Sequence, residues 1–170
     1  EALVRSGQIG DVSTDGPRLR LSASGITLAV EARAVPETME AFDPPMRTLR
    51  SPATVEAARL HAGVLTIEAS APPSDPEDAR LQARAMHAVA AALVPLMPTL
   101  AVFWRTSWSL TRPETFVEAA PGPTSGRAPV GIWAGFATVA PRGDAGDAIG
   151  MVSYGLAPFL GREIELAPAP

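Results

Sequence analysis

Two histidines, three tryptophans and two alternating glutamates near the C-terminus offer the most chemistry in this 170-residue chain. His61 lies beside Arg59 and two residues before Gly63, where a predicted short helix meets a predicted strand. An imidazole at a sheet end can serve as a base or a ligand. A plainer role competes with that one. The last carbonyls of a helix lack partners, and an imidazole there can donate to one of them. No nucleophile neighbours His61 in sequence, and the nearest acids, Glu56 and Glu68, belong to adjacent elements. The expected role is therefore structural, with the ring bonded to backbone or to a fixed polar group. His87 shares a predicted helix face with Arg80 and Arg84 and is expected on the solvated surface.

Trp104 closes a predicted strand and Trp108 follows in the next loop. Trp133 falls within a predicted strand over 130–139, out of phase with Ile132 and Phe136. If those two face the helices, Trp133 faces the other side of the sheet. On an uncovered face it would mark a partner or ligand surface; beneath a loop or second layer it would be core. His61, Trp104, Trp108, Trp133 and Tyr154 make up the candidate binding surface. Glu163 and Glu165 share one face of a predicted edge strand. They read as a carboxylate pair or, better, as charges that discourage strand addition.

Familiar catalytic signatures are missing. There is no G-x-S-x-G elbow, no G-x-G-x-x-G after a strand, no H-E-x-x-H and no calcium loop. Asp144 and Asp147 flank a turn, and Arg142-Gly143-Asp144 is a chance tripeptide in a chain rich in Arg and Gly. No catalytic, cofactor or metal set is assigned.

The element that must position these residues is a long helix. Asp75 stands at its N-cap, and Pro76 follows at the first helical position, where a missing N–H costs nothing. Glu77 and Asp78 face the positive end of the helix dipole. An apolar stripe then runs Ala79, Ala83, Met86, Ala90, Leu93, Val94, Met97. The helix is expected over 76–97, roughly 33 Å at 1.5 Å per residue. Apolar runs at Val64–Ile67 and Leu100–Trp104 flank it, which predicts a parallel strand–helix–strand unit with a right-handed crossover.

Upstream, Arg18–Ser22 and Ile26–Val35 alternate as a hairpin does. Ser51-Pro52 opens a short helix through Leu60, and a turn of helix is expected around 37–41. Downstream, Thr111 and Glu114 suggest a capping box for a helix burying Phe116 and Val117. Residues 121–129 and 141–147 read as loop and turn. Strands are expected at 149–154 and 162–166, with a helical turn at 156–160. The fold class is α+β: a two-layer domain with a mixed β-sheet, the long helix and short helices mainly on one face, and one right-handed βαβ unit. Residues 1–16 read as a loose lead-in to a single domain over 17–170.

Composition limits the partners. Net charge is −4, which argues against a nucleic-acid footprint. All 14 basic residues are Arg, so there is no P-loop or Schiff-base lysine, and no cysteine offers disulfide, thiol or zinc chemistry. No apolar stretch is long enough to span a membrane, and the first residues lack the apolar core of a signal peptide.

From about Gly25 to Leu166 the order of motifs resembles an uncharacterised bacterial family, domain of unknown function 4261. The resemblance rests on His61-Ala62-Gly63-Val64-Leu65-Thr66-Ile67, on Ala101-Val102-Phe103-Trp104 after a long helix, and on Pro129-Val130-Gly131-Ile132-Trp133. Ser153-Tyr154-Gly155-Leu156, then Phe159 and Gly161-Arg162-Glu163-Ile164-Glu165, complete it. It implies a bacterial, cytoplasmic, single-domain protein and supplies no activity.

Two functional classes follow. The first is a non-catalytic binding or protein-interaction module, whose partner is another protein or a second copy of the chain in a homodimer. The mean hydropathy of +0.13 and the apolar strand at 130–139 motivate the dimer. The alternative is an enzyme of unrecognised class, with His61, Arg59 and Glu31 or Tyr154 at a sheet end. An enzyme requires His61 to meet a carboxylate or hydroxyl in a concave pocket; a module requires an exposed aromatic patch.

Overall fold

Alternating apolar and polar residues build the first layer. In the computed structural model, which describes residues 9–38, 40, 52–122, 127–139 and 149–167, strands β1 (Ile9–Asp15), β2 (Arg18–Ala23), β3 (Ile26–Arg33) and β4 (Val64–Ala69) form an antiparallel sheet in that order. Cross-strand pairs Leu19–Val30, Leu21–Leu28 and Val30–Ile67 place apolar side chains on one face. Arg18, Arg20, Glu31 and Glu68 alternate onto the other, where Arg18 and Glu31 pair at 2.7 Å. Residues 9–15, expected within a loose lead-in, instead add an edge strand to the sheet. Helix α1 (Pro52–Ala58) precedes β4.

Helix α2 (Pro76–Leu93) lies on the apolar face of the sheet and starts as its sequence dictates. The Asp75 carboxylate accepts from the Glu77 and Asp78 amides, both at 2.9 Å. Asp78 in turn accepts from the Ser74 amide at 2.9 Å, which ties the residue before the cap to the first turn. Hydrogen bonding, first from the Asp78 amide, holds the Asp75 carboxyl below its usual range. The helix gives way at Val94 to a 3-10 turn, Val94–Leu96, which holds Pro95 and ends two residues before Pro98.

Two apolar clusters meet on α2. Ala85 and Val89, with Met86 and Leu93, pack on Leu21, Leu28 and Val30 of the sheet. Ala83 and Ala91, with Ala90 and Val94, pack on Phe116, Ile132 and Trp133. The helix is therefore buried on two sides. This corrects the surface position expected for His87, which is 0% exposed.

The strand–helix–strand unit is also corrected. Among the described residues every strand pairing is antiparallel, and the strands fall into three sheets instead of one mixed sheet. Strand β5 (Val102–Trp104) pairs with β6 (Ser109–Thr111), not with β4. The reason is local: β6 lies one tight turn away, so that pairing closes a much shorter loop than a crossover over α2. Helix α3 (Pro113–Glu118) then begins after Arg112 without a side-chain cap. Thr111 is committed to β6, Phe116 is fully buried, and Val117 is exposed.

Residues Val130–Trp133 form a helical turn, α4, where a strand is expected from the alternation. The Pro129 carbonyl accepts from both the Ile132 and Trp133 amides, which curls the chain before β7 (Gly135–Val139) begins. Strands β7, β8 (Gly150–Tyr154) and β9 (Glu165–Leu166) make the third sheet, with helical turn α5 (Ala157–Leu160) between the last two. The Ser51 cap, residues 41 and 123–126, and the turn at 141–147 with Asp144 and Asp147 lie outside the described residues, as does part of the predicted turn of helix at 37–41. Among the described residues no helix is long and apolar enough to cross a membrane.

Candidate functional site

A junction of three backbones comes first, because it sets the site's geometry. Ser107 ends the 3-10 turn Arg105–Ser107 and is fully buried. Its hydroxyl donates to the Ile132 carbonyl at 2.6 Å. Gly135, at the start of β7, lies so close to the Ser107 carbonyl that a side chain there would overlap it. Gly155, just past β8, faces the Trp133 carbonyl and Ser107 Cα, 2.5 and 3.1 Å from where a Cβ would stand. Backbone packs on backbone, and only glycine allows it.

The next residue, Trp108, absorbs the consequence. It adopts φ 50° and ψ 33°, a left-handed conformation that bulky residues rarely take. Its amide donates back to the Arg105 carbonyl at 3.2 Å. The indole is thereby laid against Tyr154, which immediately precedes Gly155. The two rings stack with centroids 4.5 Å apart and planes 27° from parallel. Trp108 remains 37% exposed.

Glu163 locks the turn behind Tyr154. One carboxylate oxygen accepts from the Gly155 and Ala157 amides at 2.8 and 3.0 Å. The other accepts from the Ser153 hydroxyl at 2.6 Å and the Leu156 amide at 3.1 Å. Ser153 Oγ also accepts from the Ile164 amide at 2.7 Å. Glu163 thus precedes β9 and does not form a pair with Glu165 on an edge strand. Burial alone would raise its carboxyl pKa. The Ser153 hydroxyl and the three amides outweigh that and hold it below its ordinary value.

The sign of the pH effect follows. A carboxyl whose pKa is lowered by folding contributes stability that is complete above its unfolded value of 4.5 and lost as pH falls through the lower folded value. Glu163→Gln is expected to cost about 1 kcal/mol at neutral pH, a figure reduced for solvent screening. It is also expected to flatten that part of the acid profile. Thermal melts from pH 7 to 3 check both.

The five sequence candidates separate into three places. Trp108 and Tyr154 meet at the surface. Trp133 is 3% exposed, buried in its own chain beneath helix α2: of the two positions the sequence leaves open it takes the core one, which corrects its place in the candidate binding surface and removes one basis for a dimer surface there. Trp104 is half-buried and stacks on it at 6.2 Å, with Phe159 on the indole at 5.7 Å. His61 stands apart. Its Nδ1 donates to the Ala58 carbonyl at the end of α1, and its Nε2 accepts from the Glu37 amide, both at 2.6 Å. Both ring nitrogens are thus engaged by backbone, the arrangement the helix end calls for, and neither is left for general-base work.

A cleft of about 150 Å³ lies elsewhere, between α2, the β1–β2 edge and Pro121-Gly122. Its lining is mostly Ala, Val and Ile, and Arg84, its one charged side chain, donates to the Gly122 carbonyl at 2.9 Å. Among the described residues no group of His, Cys, Asp and Glu is arranged to hold a metal ion. Comparison of the chain with family models, curated proteins and solved structures finds no match, so the site is read from its own geometry.

Proposed function

We propose that this protein is a non-catalytic protein-interaction module whose contact surface centres on the stacked Trp108–Tyr154 pair. One observation carries the reading: an exposed indole held on left-handed backbone. That conformation costs a non-glycine residue roughly 1–2 kcal/mol. Strain of this kind persists where surrounding structure imposes it, and it gathers at functional sites. Here it presents a large, rigid aromatic face, the kind of side chain that dominates interface energetics. The engagement of both His61 nitrogens favours the module over the alternative enzyme with a site near His61. Membership of the family of domain of unknown function 4261 and a cytoplasmic location belong to the same reading, as does a second copy of the chain as one admissible partner.

Trp108→Gly tests it. Glycine relieves the backbone strain while the stack, worth about 0.5–1.5 kcal/mol, is lost. Folding stability is therefore expected to change by no more than about 1 kcal/mol. Association is expected to collapse, read by sedimentation for self-association and by quantitative affinity capture against wild type for other proteins. A variant that keeps every association of the wild type would sink the proposal. One that unfolds would show that Trp108 is structural.

A further inference from the structure

His87 is the one fully buried imidazole in the described structure, and nothing in the interaction surface uses it. Its Nε2 lies 2.9 Å from the Phe116 carbonyl. That carbonyl needs a donor, because the Ala120 amide that would continue α3 bonds to Val117 instead. Nε2 therefore carries the hydrogen. Nδ1 must be a bare lone pair, since it accepts from Trp133 Nε1 at 3.1 Å. The ring stacks on Phe116 at 4.1 Å and is walled by Trp104 and Trp133.

We infer that His87 is a proton-operated latch: its neutral form holds α4 to α2 through the Trp133 indole, and protonation at Nδ1 releases it. The reason is steric and electrostatic together. A proton on Nδ1 would point an N–H at an indole N–H, which cannot accept. A buried imidazolium would then need a counter-charge. None is in place. Arg84 on α2 bonds to Gly122, Glu114 and Glu118 on α3 are exposed, and α4 carries no charge. Arg105, just past β5, and Arg162, just past α5, are exposed and of the wrong sign. Burial, opposed only by the Phe116 carbonyl, lowers the affinity of His87 for a proton. Stability from the latch is thus complete above the unfolded value of 6.5 and is lost as pH falls below it toward the lower folded value.

The test is nuclear magnetic resonance on the whole chain. Between about pH 7.5 and 4.5, across the histidine range, the exchange protection of the Trp133 indole N–H is expected to fall at least tenfold more than that of the Leu21 and Leu28 amides in the sheet. His87→Phe should abolish the difference. In Trp133→Phe the opposing donor is gone, so the titration midpoint of His87, followed by its ring nitrogen shifts, should move up. Parallel loss of protection at both places would overturn the latch. So would survival of the pH dependence in His87→Phe, or an unmoved midpoint in Trp133→Phe.

Discussion

Gly155→Ala is expected to destabilise the protein by about 2–5 kcal/mol, the sum of two separable costs. Gly155 has φ 86°, and a left-handed alanine costs roughly 1–2 kcal/mol. Its new methyl would also stand 2.5 Å from the Trp133 carbonyl and 3.1 Å from Ser107, in backbone that cannot swing aside. Overpacking of that kind costs roughly 1–3 kcal/mol. Two other glycines divide the sum. Gly161 has φ 76° but nothing near its would-be Cβ, so Gly161→Ala carries the conformational cost alone. Gly135 is not left-handed but abuts the Ser107 carbonyl, so Gly135→Ala carries the steric cost alone. Urea denaturation should rank Gly155→Ala below Gly161→Ala. Equal midpoints for Gly155→Ala and Gly161→Ala would show that the junction gives way and does not hold Trp108 rigid.

This junction could not be read along the chain, because its three segments meet largely through backbone. A glycine's role there depends on what lies opposite, and Ser107 is 28 residues before Gly135 and 48 before Gly155. The long helix was legible for the opposite reason. Its cap, its first-turn acids and its Pro76 all act within a few residues of one another. The pairing of β4 with a later strand failed because an apolar run shows that a strand is buried, not which neighbour it takes. Within the site, Trp108 and Tyr154 were singled out by residue type alone. That they stack depends on the turn conformation at Trp108. Trp133 misled because Val130–Phe136 has the same apolar alternation whether it runs straight or coils once after Pro129. His87 misled because its spacing from Arg80 and Arg84 defines a polar face only for a helix buried on one side, and α2 is buried on two.

His87→Ala is expected to cost about 3–5 kcal/mol, the range of large-to-small changes in a well-packed aromatic core. Part of this is the space left against Phe116. The rest comes from leaving the Trp133 indole N–H and the Phe116 carbonyl buried without partners, a penalty that exceeds the net worth of the bonds themselves. A double-mutant cycle separates the two. His87→Phe fills the space but orphans the indole; Trp133→Phe orphans Nδ1 instead. Each single change pays for a stranded group, whereas the double variant strands neither member of the His87–Trp133 pair. The double variant is therefore expected to be more stable than the sum of the singles predicts, by roughly 1–3 kcal/mol. Chemical denaturation above pH 7 keeps the imidazole neutral and the cycle free of titration. Strict additivity would mean that the two rings only fill volume, and that the 3.1 Å contact contributes nothing the neighbouring aromatics do not already supply. Coupling of the expected sign would make the buried imidazole the polar pin of an otherwise apolar cluster, bridging α2, α3 and α4 through its two nitrogens.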